Sequence, residues 1–346
     1  MILKIIASLE GGDLVTPDNE LTYKIYGNND SFASPIATLG SAIDDSKVSV
    51  ANGIVTIDNV DVGTENEFKI SSVDEAGNES VLSDAFASID PDAQAQITRI
   101  INAGGTIEDS SVIDADIKFL KSIGLFNNLK YAVDPRAGIT ERVDGSDTFA
   151  SKIFDYSGSD ADTDNSTGSE QPKKGVLNGV TSLDFDGVND RLTDENTVTF
   201  LAGEEMFSVA VYAQDFTGSD NYGSVVDKFS PDVGRKQFGR RNTGIGIYNN
   251  NETESYTPYQ NVQIIASGTA STTNILTGFI NGVESSQENF SVNYVGKTLG
   301  SLVGVRTDSR NAKAKFQKNW DFDALPTDSQ KDAITDYLQA QFNITF

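Results

Sequence analysis

The sequence predicts a mainly β protein, with two antiparallel sandwiches, a short helical stretch between them and a helix at the end. Three observations support this prediction. Short runs rich in Val, Ile, Thr and aromatic residues recur, glycine occurs 30 times in 346 residues, and Asn-Gly pairs separate some of the runs. β-branched and aromatic residues favour strands, and Asn-Gly is a strong hairpin signal. A chain this long usually forms more than one hydrophobic core.

The first all-β domain is predicted over residues 1–89. Residues 21–26 and 67–73 alternate between apolar and polar side chains, and residues 54–60 do so directly after the pair Asn52-Gly53. This period of two indicates strands with one buried face.

A helical connector is predicted over residues 90–130. Residues 91–103 start with a proline at the first turn, and residues 111–123 end at Gly124, which is a typical residue after a helix. We expect these helices to pack against the domain that follows.

The second and larger domain is predicted over residues 131–346. Strand candidates such as residues 182–185, 207–212 and 275–280 are separated by turn-rich segments, which is typical of a large antiparallel sandwich. Residues 326–342 then form an amphipathic helix.

The charge of the chain argues against two classes of partner. It carries 51 acidic and 26 basic residues, a formal net charge of −25. Such a field repels nucleic-acid phosphates and anionic lipids, so we expect no nucleic-acid partner. No apolar run approaches the roughly 18–20 residues of a membrane span, so we expect no membrane insertion. The apolar start, residues 1–7, is shorter than a signal peptide and is predicted to be a strand.

The chain contains neither Cys nor His. This excludes disulfides, cysteine zinc sites and Ser-His-Asp triads. Catalysis by a carboxylate pair remains, but the sequence lacks the Glu-x-Asp-x-Glu pattern of retaining glycanases, and the pairs that come nearest to it are Asp184 with Asp186 and Asp321 with Asp323. Aspartate is a standard turn residue, and we interpret the first pair as turn-capping or solvent-facing. The sequence therefore predicts no catalytic residue and no enzyme, and a polysaccharide-degrading enzyme is a disfavoured alternative.

One segment of the first domain resembles a known family. The stretch Asp74-Glu75-Ala76-Gly77-Asn78-Glu79-Ser80 is similar to the last loop of fibronectin type III or related immunoglobulin-like domains. The resemblance implies a sandwich that serves as a spacer or docking module.

Three passages of the second domain resemble laminin-G-like domains, which have the concanavalin A-like sandwich. They are residues 153–192 with the motif LDFDGVND (183–190), residues 276–285, and residues 325–344. The resemblance implies an antiparallel jelly roll that ends in a helix. The fold alone does not specify a function, because it hosts lectins, glycanases and structural modules.

Residues 113–140 are similar to a segment that precedes such domains in tailed-phage structural proteins. This resemblance implies a non-enzymatic, surface-exposed virion protein, either a capsid decoration protein or a tail or fibre component. Its partners would be other virion proteins or further copies of the chain, and lysis of the host cell would release it. The alternatives are a glycan-binding adhesin that recognises a host surface polysaccharide and a secreted bacterial surface protein.

An Asn-rich and Tyr-rich segment is the predicted glycan contact. Sugar sites combine exposed aromatic rings with amide or carboxylate hydrogen-bonding groups. The alternative is a set of partly buried aromatics at the edge of the sandwich. The candidate residues are Tyr248, Asn249, Asn250, Tyr256 and Tyr259.

Alternating aspartates form the predicted metal site. Asp160, Asp162 and Asp164 lie in a polar loop, and calcium prefers several carboxylate oxygens on such a loop. The Gly and Glu that an EF-hand needs are missing, and a solvated acidic loop is the alternative. No cofactor is required, and calcium is the one ion we consider. A weaker second candidate consists of Asp186, Asn189 and Asp190.

Basic residues cluster in two stretches of an otherwise acidic chain. We predict that they dock to an acidic partner, such as the first domain of a neighbouring copy. The alternative is chance clustering on solvated loops. The residues are Lys228, Arg235, Lys236, Arg240, Arg241, Arg306, Arg310, Lys313, Lys315 and Lys318.

Overall fold

A computed structural model of the chain contains two compact units, Met1–Asp90 and Pro91–Phe346. The helices predicted as a connector belong to the second unit. The predicted mainly β class with a C-terminal helix is confirmed. The residues that the structure describes are 2–7, 20–51, 54–61, 67–80, 82, 86–87, 89–193, 198–199, 206–214, 222–230, 234–241, 244–249, 263–270, 275–281, 283–289, 298–303 and 313–345.

Two antiparallel sheets make up the described part of the first unit. Its strands are β1 (Ile2–Ala7), β2 (Thr22–Gly27), β3 (Pro35–Leu39), β4 (Val48–Ala51), β5 (Ile54–Asp61), β6 (Glu67–Val73) and β7 (Phe86–Ala87). One sheet has the order β1-β5-β4, and the other has the order β3-β2-β6-β7. The alternation in the sequence explains the core, because Tyr23, Ile25, Ile57 and Phe68 all point inward and are fully buried.

The predicted strands of the first unit lie at their expected positions. The turn at residues 52–53 is outside the described residues, but the flanking Ala51 and Ile54 face each other across the β4–β5 pair. The resemblance to fibronectin type III domains stays a prediction.

The loop that follows β6 is held by its own polar side chains. Asp74 accepts hydrogen bonds from the N–H and the side-chain amide of Asn78, at 2.7 and 2.8 Å. Gly77 has a φ of +83°, which favours glycine in this turn. Glu79 returns to the sheet and binds the Lys24 ammonium at 2.5 Å, and this bond is the largest cause that lowers the pKa of Glu79 to about 2.

Three helices of the second unit are α1 (Pro91–Asn102), α2 (Ser110–Ser122) and α3 (Asp328–Phe342). Each agrees with its predicted position to within about two residues at either end. Asp109 caps α2 by accepting a hydrogen bond from the N–H of Ser111. Thr327 and Gln330 form a reciprocal capping box at the start of α3. No helix among the described residues is long and apolar enough to cross a membrane.

Antiparallel strands make up the rest of the second unit. They are β8 (Leu129–Val133), β9 (Ile139–Asp144), β10 (Asp147–Ile153), β11 (Thr163–Asp164), β12 (Lys173–Leu177), β13 (Val180–Asp186), β14 (Leu192–Thr193), β15 (Val198–Thr199), β16 (Met206–Gln214), β17 (Tyr222–Ser230), β18 (Gly234–Arg241), β19 (Gly244–Asn249), β20 (Gln263–Ala270), β21 (Ile275–Ile280), β22 (Val283–Asn289), β23 (Thr298–Val303) and β24 (Lys313–Phe322).

These strands form large curled sheets, consistent with the predicted jelly-roll sandwich. One continuous run of neighbours is β9-β10-β12-β13-β24-β16-β20-β21-β22. A second run is β11-β14-β23-β17-β18-β19. β24 is central to the first run, because it pairs with β16 along one edge and with β13 and β8 along the other.

The helices and the sheet share one hydrophobic core. Trp320 on β24 is fully buried, and Phe207 on β16 lies in the same cluster. The helices contribute their apolar stripes to this cluster, as amphipathic helices on a sheet do. The buried helical residues include Ile100, Ile113, Ile117, Leu120, Ile334 and Leu338.

A charged network lies inside this core. Lys318 on β24 is fully buried, and its ammonium lies 2.6 Å from Asp116 on α2 and 3.4 Å from Asp134. The same ammonium donates to the side-chain oxygen of Gln341 on α3 at 2.6 Å. The Tyr156 hydroxyl donates to Asp116 at 2.6 Å. One lysine therefore connects a sheet strand to two helices.

A second cation balances the charge of this network. Arg136 binds Asp134 at 2.6 Å, and both are largely screened from solvent. Burial alone would raise the pKa of Asp134, yet Arg136 and Lys318 hold that pKa below its ordinary value. Two cations, Lys318 and Arg136, and two carboxylates, Asp116 and Asp134, thus compensate each other in a region that is largely shielded from solvent.

Replacing Lys318 with Met should destabilise the second unit by about 3–5 kcal/mol, because removing one partner leaves a buried charge unpaired. Urea unfolding followed by the fluorescence of Trp320, the single tryptophan, measures this loss. The matched control is Lys331→Met, which removes an ammonium paired with the exposed Asp328 and should cost about 0.5 kcal/mol or less. Equal effects of the two substitutions would contradict the structural role of Lys318.

Candidate functional site

A row of side chains crosses six neighbouring strands of the main sheet. Residues directly opposite each other in antiparallel strands project from the same face. Pairwise register therefore places the members of the row side by side. They are Arg142 on β9, Phe149 on β10, Lys173 on β12, Asp184 on β13, Lys315 on β24 and Ala213 on β16.

All six members of the row line one groove, with a volume of about 1090 Å³. Small-molecule sites usually measure about 300–1,000 Å³, so the groove is slightly larger than that range. Its described lining also contains four further aspartates on strands and turns next to the row: Asp144, Asp147, Asp186 and Asp190.

Ion pairs occupy the middle of the row. The Lys315 ammonium lies 2.6 Å from the Asp184 carboxylate, and the Lys173 ammonium lies 2.8 Å from Asp147. These side chains remain partly exposed, between 28% and 49%. Such pairs contribute little to stability, because water screens them, so their groups remain available to a ligand.

A glycine makes room for the central carboxylate. A Cβ atom at Gly175 would lie only 2.3 Å from the Asp184 carboxylate. The Ser182 hydroxyl donates to the same carboxylate at 2.6 Å. Asp184 therefore lies flat over the backbone of β12, next to Lys315.

Arg142 forms one end of the groove. Its guanidinium donates to the side chain of Gln171 at 2.6 Å, to the carbonyl of Gly168 at 2.8 Å and to Asp144 at 3.1 Å. The guanidinium also lies 4.6 Å above the centre of the Phe149 ring. This arginine thus fixes a loop against the edge of the sheet and covers one face of Phe149.

Asp190 lies in the wall at the other end. It is 7% exposed and accepts a hydrogen bond from the N–H of Asp186 at 2.9 Å. Burial raises the pKa of Asp190 to about 6; the bond from the Asp186 N–H opposes this shift and the charge of Asp186 adds to it. Asp186 itself pairs in register with Lys313 and caps the following turn through the N–H of Val188.

The two aspartates of the motif at residues 183–190 have different roles. The predicted turn-capping role is confirmed for Asp186. Asp184 caps no turn: it lies on β13, faces the groove, binds Lys315 and remains partly exposed to solvent. The alternation of the two residues on one strand was the available signal, but the opposing lysine comes from a strand 131 residues away in sequence.

The predicted calcium loop is organised by an arginine of α1. Arg99 binds Asp162 at 3.2 Å and Asp160 at 3.0 Å, and Lys152 binds Asp162 at 3.0 Å. Asp164 lies on the short strand β11. Within the described ranges, no group of three or more Asp, Glu, His or Cys side chains is placed to hold a metal ion. The carboxylates of Asp160 and Asp162 are compensated by protein cations.

The predicted glycan segment is only partly described. Tyr248 and Asn249 lie on β19, whereas Asn250, Tyr256 and Tyr259 lie outside the described residues. Their role in glycan contact stays a prediction.

The residues of the two basic stretches lie in different environments. The first lies on β17 and β18 and stays a predicted docking patch; it comprises Lys228, Arg235, Lys236, Arg240 and Arg241. In the second, Lys318 is buried in the core and cannot belong to an exposed patch, which corrects the prediction for that residue. Lys313 and Lys315 line the groove, while Arg306 and Arg310 lie outside the described residues.

The fold and groove define the second unit as an antiparallel sandwich with a polar cleft across one sheet. No known protein-family profile matches the chain, and no curated protein matches it. Several solved structures are similar to the chain in fold. The binding domain of botulinum neurotoxin serotype D is 14% identical, with a TM-score of 0.43, over 63% of this chain and 52% of that domain.

Two further solved structures are enzymes. The Trypanosoma rangeli sialidase in complex with sialic acid is 11% identical, with a TM-score of 0.45, over 85% of this chain and 44% of that one. A GH54 α-L-arabinofuranosidase is 12% identical, with a TM-score of 0.46, over 65% and 64%. The chain thus spans about half of the neurotoxin domain and less of the sialidase. At these values the likeness carries no information about ligand or activity.

The stability of the second unit should depend on pH through Asp190. A carboxyl whose pKa rises on folding contributes stability below its ordinary pKa of about 3.9, and this contribution is lost as pH rises through about 6. Asp190→Asn cannot ionise. The free energy of unfolding of the variant relative to the wild type should therefore increase between about pH 4 and about pH 7. Urea unfolding across this range measures the difference, and a constant difference would contradict the assignment.

Proposed function

We propose that the second unit is a glycan-binding module and that the groove around Asp184 and Lys315 is its binding site. The observation that supports this proposal is the row of aligned polar side chains across six strands, which lies on the face of a rigid sheet. Binding sites built on strands hold their side chains more precisely than sites built on loops.

Sugar hydroxyls both donate and accept hydrogen bonds, and the groove offers both kinds of partner side by side. Lys315 supplies ammonium donors next to the acceptor oxygens of Asp184, and Lys173 with Asp147 repeats this arrangement. A hydroxyl that lies beside such a pair can donate to the carboxylate and accept from the ammonium, and both hydrogen bonds are charge-assisted.

The proposal includes no catalytic step. Glycoside hydrolysis by two carboxyl groups requires one of them as a free base or nucleophile. Asp184 is bound to Lys315 and Ser182, and Asp186 caps a turn, so both carboxylates already have positioning roles. These contacts favour recognition over hydrolysis.

The wider role as a virion surface protein stays a prediction from the resemblance of residues 113–140. A glycan-binding module is compatible with a tail-fibre-like adhesin and with a secreted lectin-like protein. Docking through the strands β17 and β18 would be a separate activity, on a different part of the chain.

Alanine substitution of Lys315 or Asp184 should weaken glycan binding about tenfold to a hundredfold, because one charged hydrogen bond contributes about 1.5–3 kcal/mol. A glycan array identifies the ligand, and calorimetry on the full chain then measures its affinity. The matched control is Lys118→Ala, which removes an ammonium paired with Asp114 on the outside of α2 and should leave binding unchanged.

Two further variants test the competing site. Tyr256→Ala and Tyr259→Ala should leave the affinity intact if the groove binds the glycan. A loss confined to these two variants would move the site to the Asn-rich segment and would refute the groove. The same measurement with calcium and with a chelator decides whether binding requires the ion.

A further inference from the structure

We propose that the groove takes an uncharged, hydroxyl-rich polysaccharide chain that lies across the strands along the row from Arg142 to Ala213. This inference rests on the proposed glycan-binding function and specifies its ligand class. Three properties of the groove support it: the balance of its charges, the length of the row and the state of its aromatic residues.

The charges of the described groove lining nearly cancel. It holds four basic and five acidic side chains, in a protein with a net charge of −25. Burial raises the pKa of Asp190 to about 6, which is still below neutral pH, so the formal net charge of this lining is −1. The groove is therefore close to neutral, unlike the protein as a whole.

Neighbouring opposite charges select against a charged ligand. The Lys315 ammonium and the Asp184 carboxylate are 2.6 Å apart. An anionic sugar attracted to Lys315 would therefore be repelled by Asp184, and a cationic sugar attracted to Asp184 would be repelled by Lys315. Attraction and repulsion of this kind largely cancel at close range. An uncharged hydroxyl meets no such conflict, because it can donate to the carboxylate and accept from the ammonium.

The length of the row indicates a polymer. Six adjacent strands lie about 4.8 Å apart, so the row extends about 24 Å perpendicular to the strands. A single sugar ring would contact only about one or two neighbouring strands at this spacing. A chain can instead contact the pair of Lys173 and Asp147 and the pair of Lys315 and Asp184 at once.

The aromatic residues of the groove are already engaged. Arg142 covers one face of Phe149 at 4.6 Å, and Phe185 is 3% exposed. Recognition by stacking on flat sugar faces is therefore disfavoured, and hydrogen bonds to hydroxyls remain. A site built for hydroxyls strongly rejects analogues that lack them.

The test compares matched oligosaccharides on the full chain by calorimetry. The probes are neutral glucan, mannan and galactan oligosaccharides of increasing length, uronate oligosaccharides of the same lengths, and O-methylated forms of the neutral set. Each is measured at about 0.1 M and about 1 M salt, between which the Debye length falls from about 10 Å to about 3 Å.

We expect neutral chains to bind, with at least tenfold higher affinity for the longest chains than for the monosaccharide. Their affinity should change less than about twofold with salt, because no net charge is compensated on binding. O-methylated chains should not bind. Lys173→Gln and Lys315→Gln should each weaken binding of the long chains, and thermal unfolding that matches the wild type would establish that these variants are folded.

The outcomes separate this inference from the function on which it rests. Tighter, salt-sensitive binding of the uronate chains would overturn the neutral ligand class but would keep the glycan-binding function. Equal affinity for the monosaccharide and the long chains would overturn the extended orientation. Binding of no glycan of any class would refute the proposed function itself, and this inference with it.

Discussion

The buried ion pair between Lys318 and Asp116 is the interaction on which the second unit depends. Charges without solvent must be paired, and their partners must be held in place. Lys318 projects from the central strand β24, Asp116 from α2, and Gln341 from α3 joins the same ammonium. α2, one of the helices between the two predicted domains, is therefore an integral part of the second unit.

The same strand connects this interior network to the groove. In the β16–β24 pair, Val211 lies opposite Lys318 and the next residue, Tyr212, lies opposite Phe316. Gln317 is therefore the extra residue of a bulge in β24. Gln317 uses its side-chain amide to bind the carbonyls of Leu177 and Val180 in the hairpin of β12 and β13. This bulge affects both the buried charged network and the groove. It changes the direction in which the side chains of β24 point, and it holds the neighbouring hairpin in register. Lys315, two residues before Gln317, then lies next to Asp184 in the groove.

Charge is distributed very differently in the three polar regions of the unit. In the core, Lys318 pairs with Asp116, and Arg136 pairs with Asp134, both shielded from solvent. In the loop after β10, Arg99 and Lys152 compensate Asp162, and the guanidinium also contacts Asp160. In the groove the pairs are exposed, so a ligand can exchange with water at little cost. Exposure, more than the identity of the charged residues, therefore distinguishes the ion pairs of the groove from those of the core.

The sequence by itself determined the class of fold, the positions of the three helices and strands such as β2, β5, β6, β16 and β21, because these follow from local periodicity and capping. It also indicated that Asp186 caps a turn. Only the tertiary structure decided the roles of Asp184, Lys315 and Lys318. Lys315 and Lys318 are three residues apart in one basic stretch, yet one lines a groove and the other is buried. Their surroundings come from distant strands and helices, and no local pattern encodes which strands become neighbours.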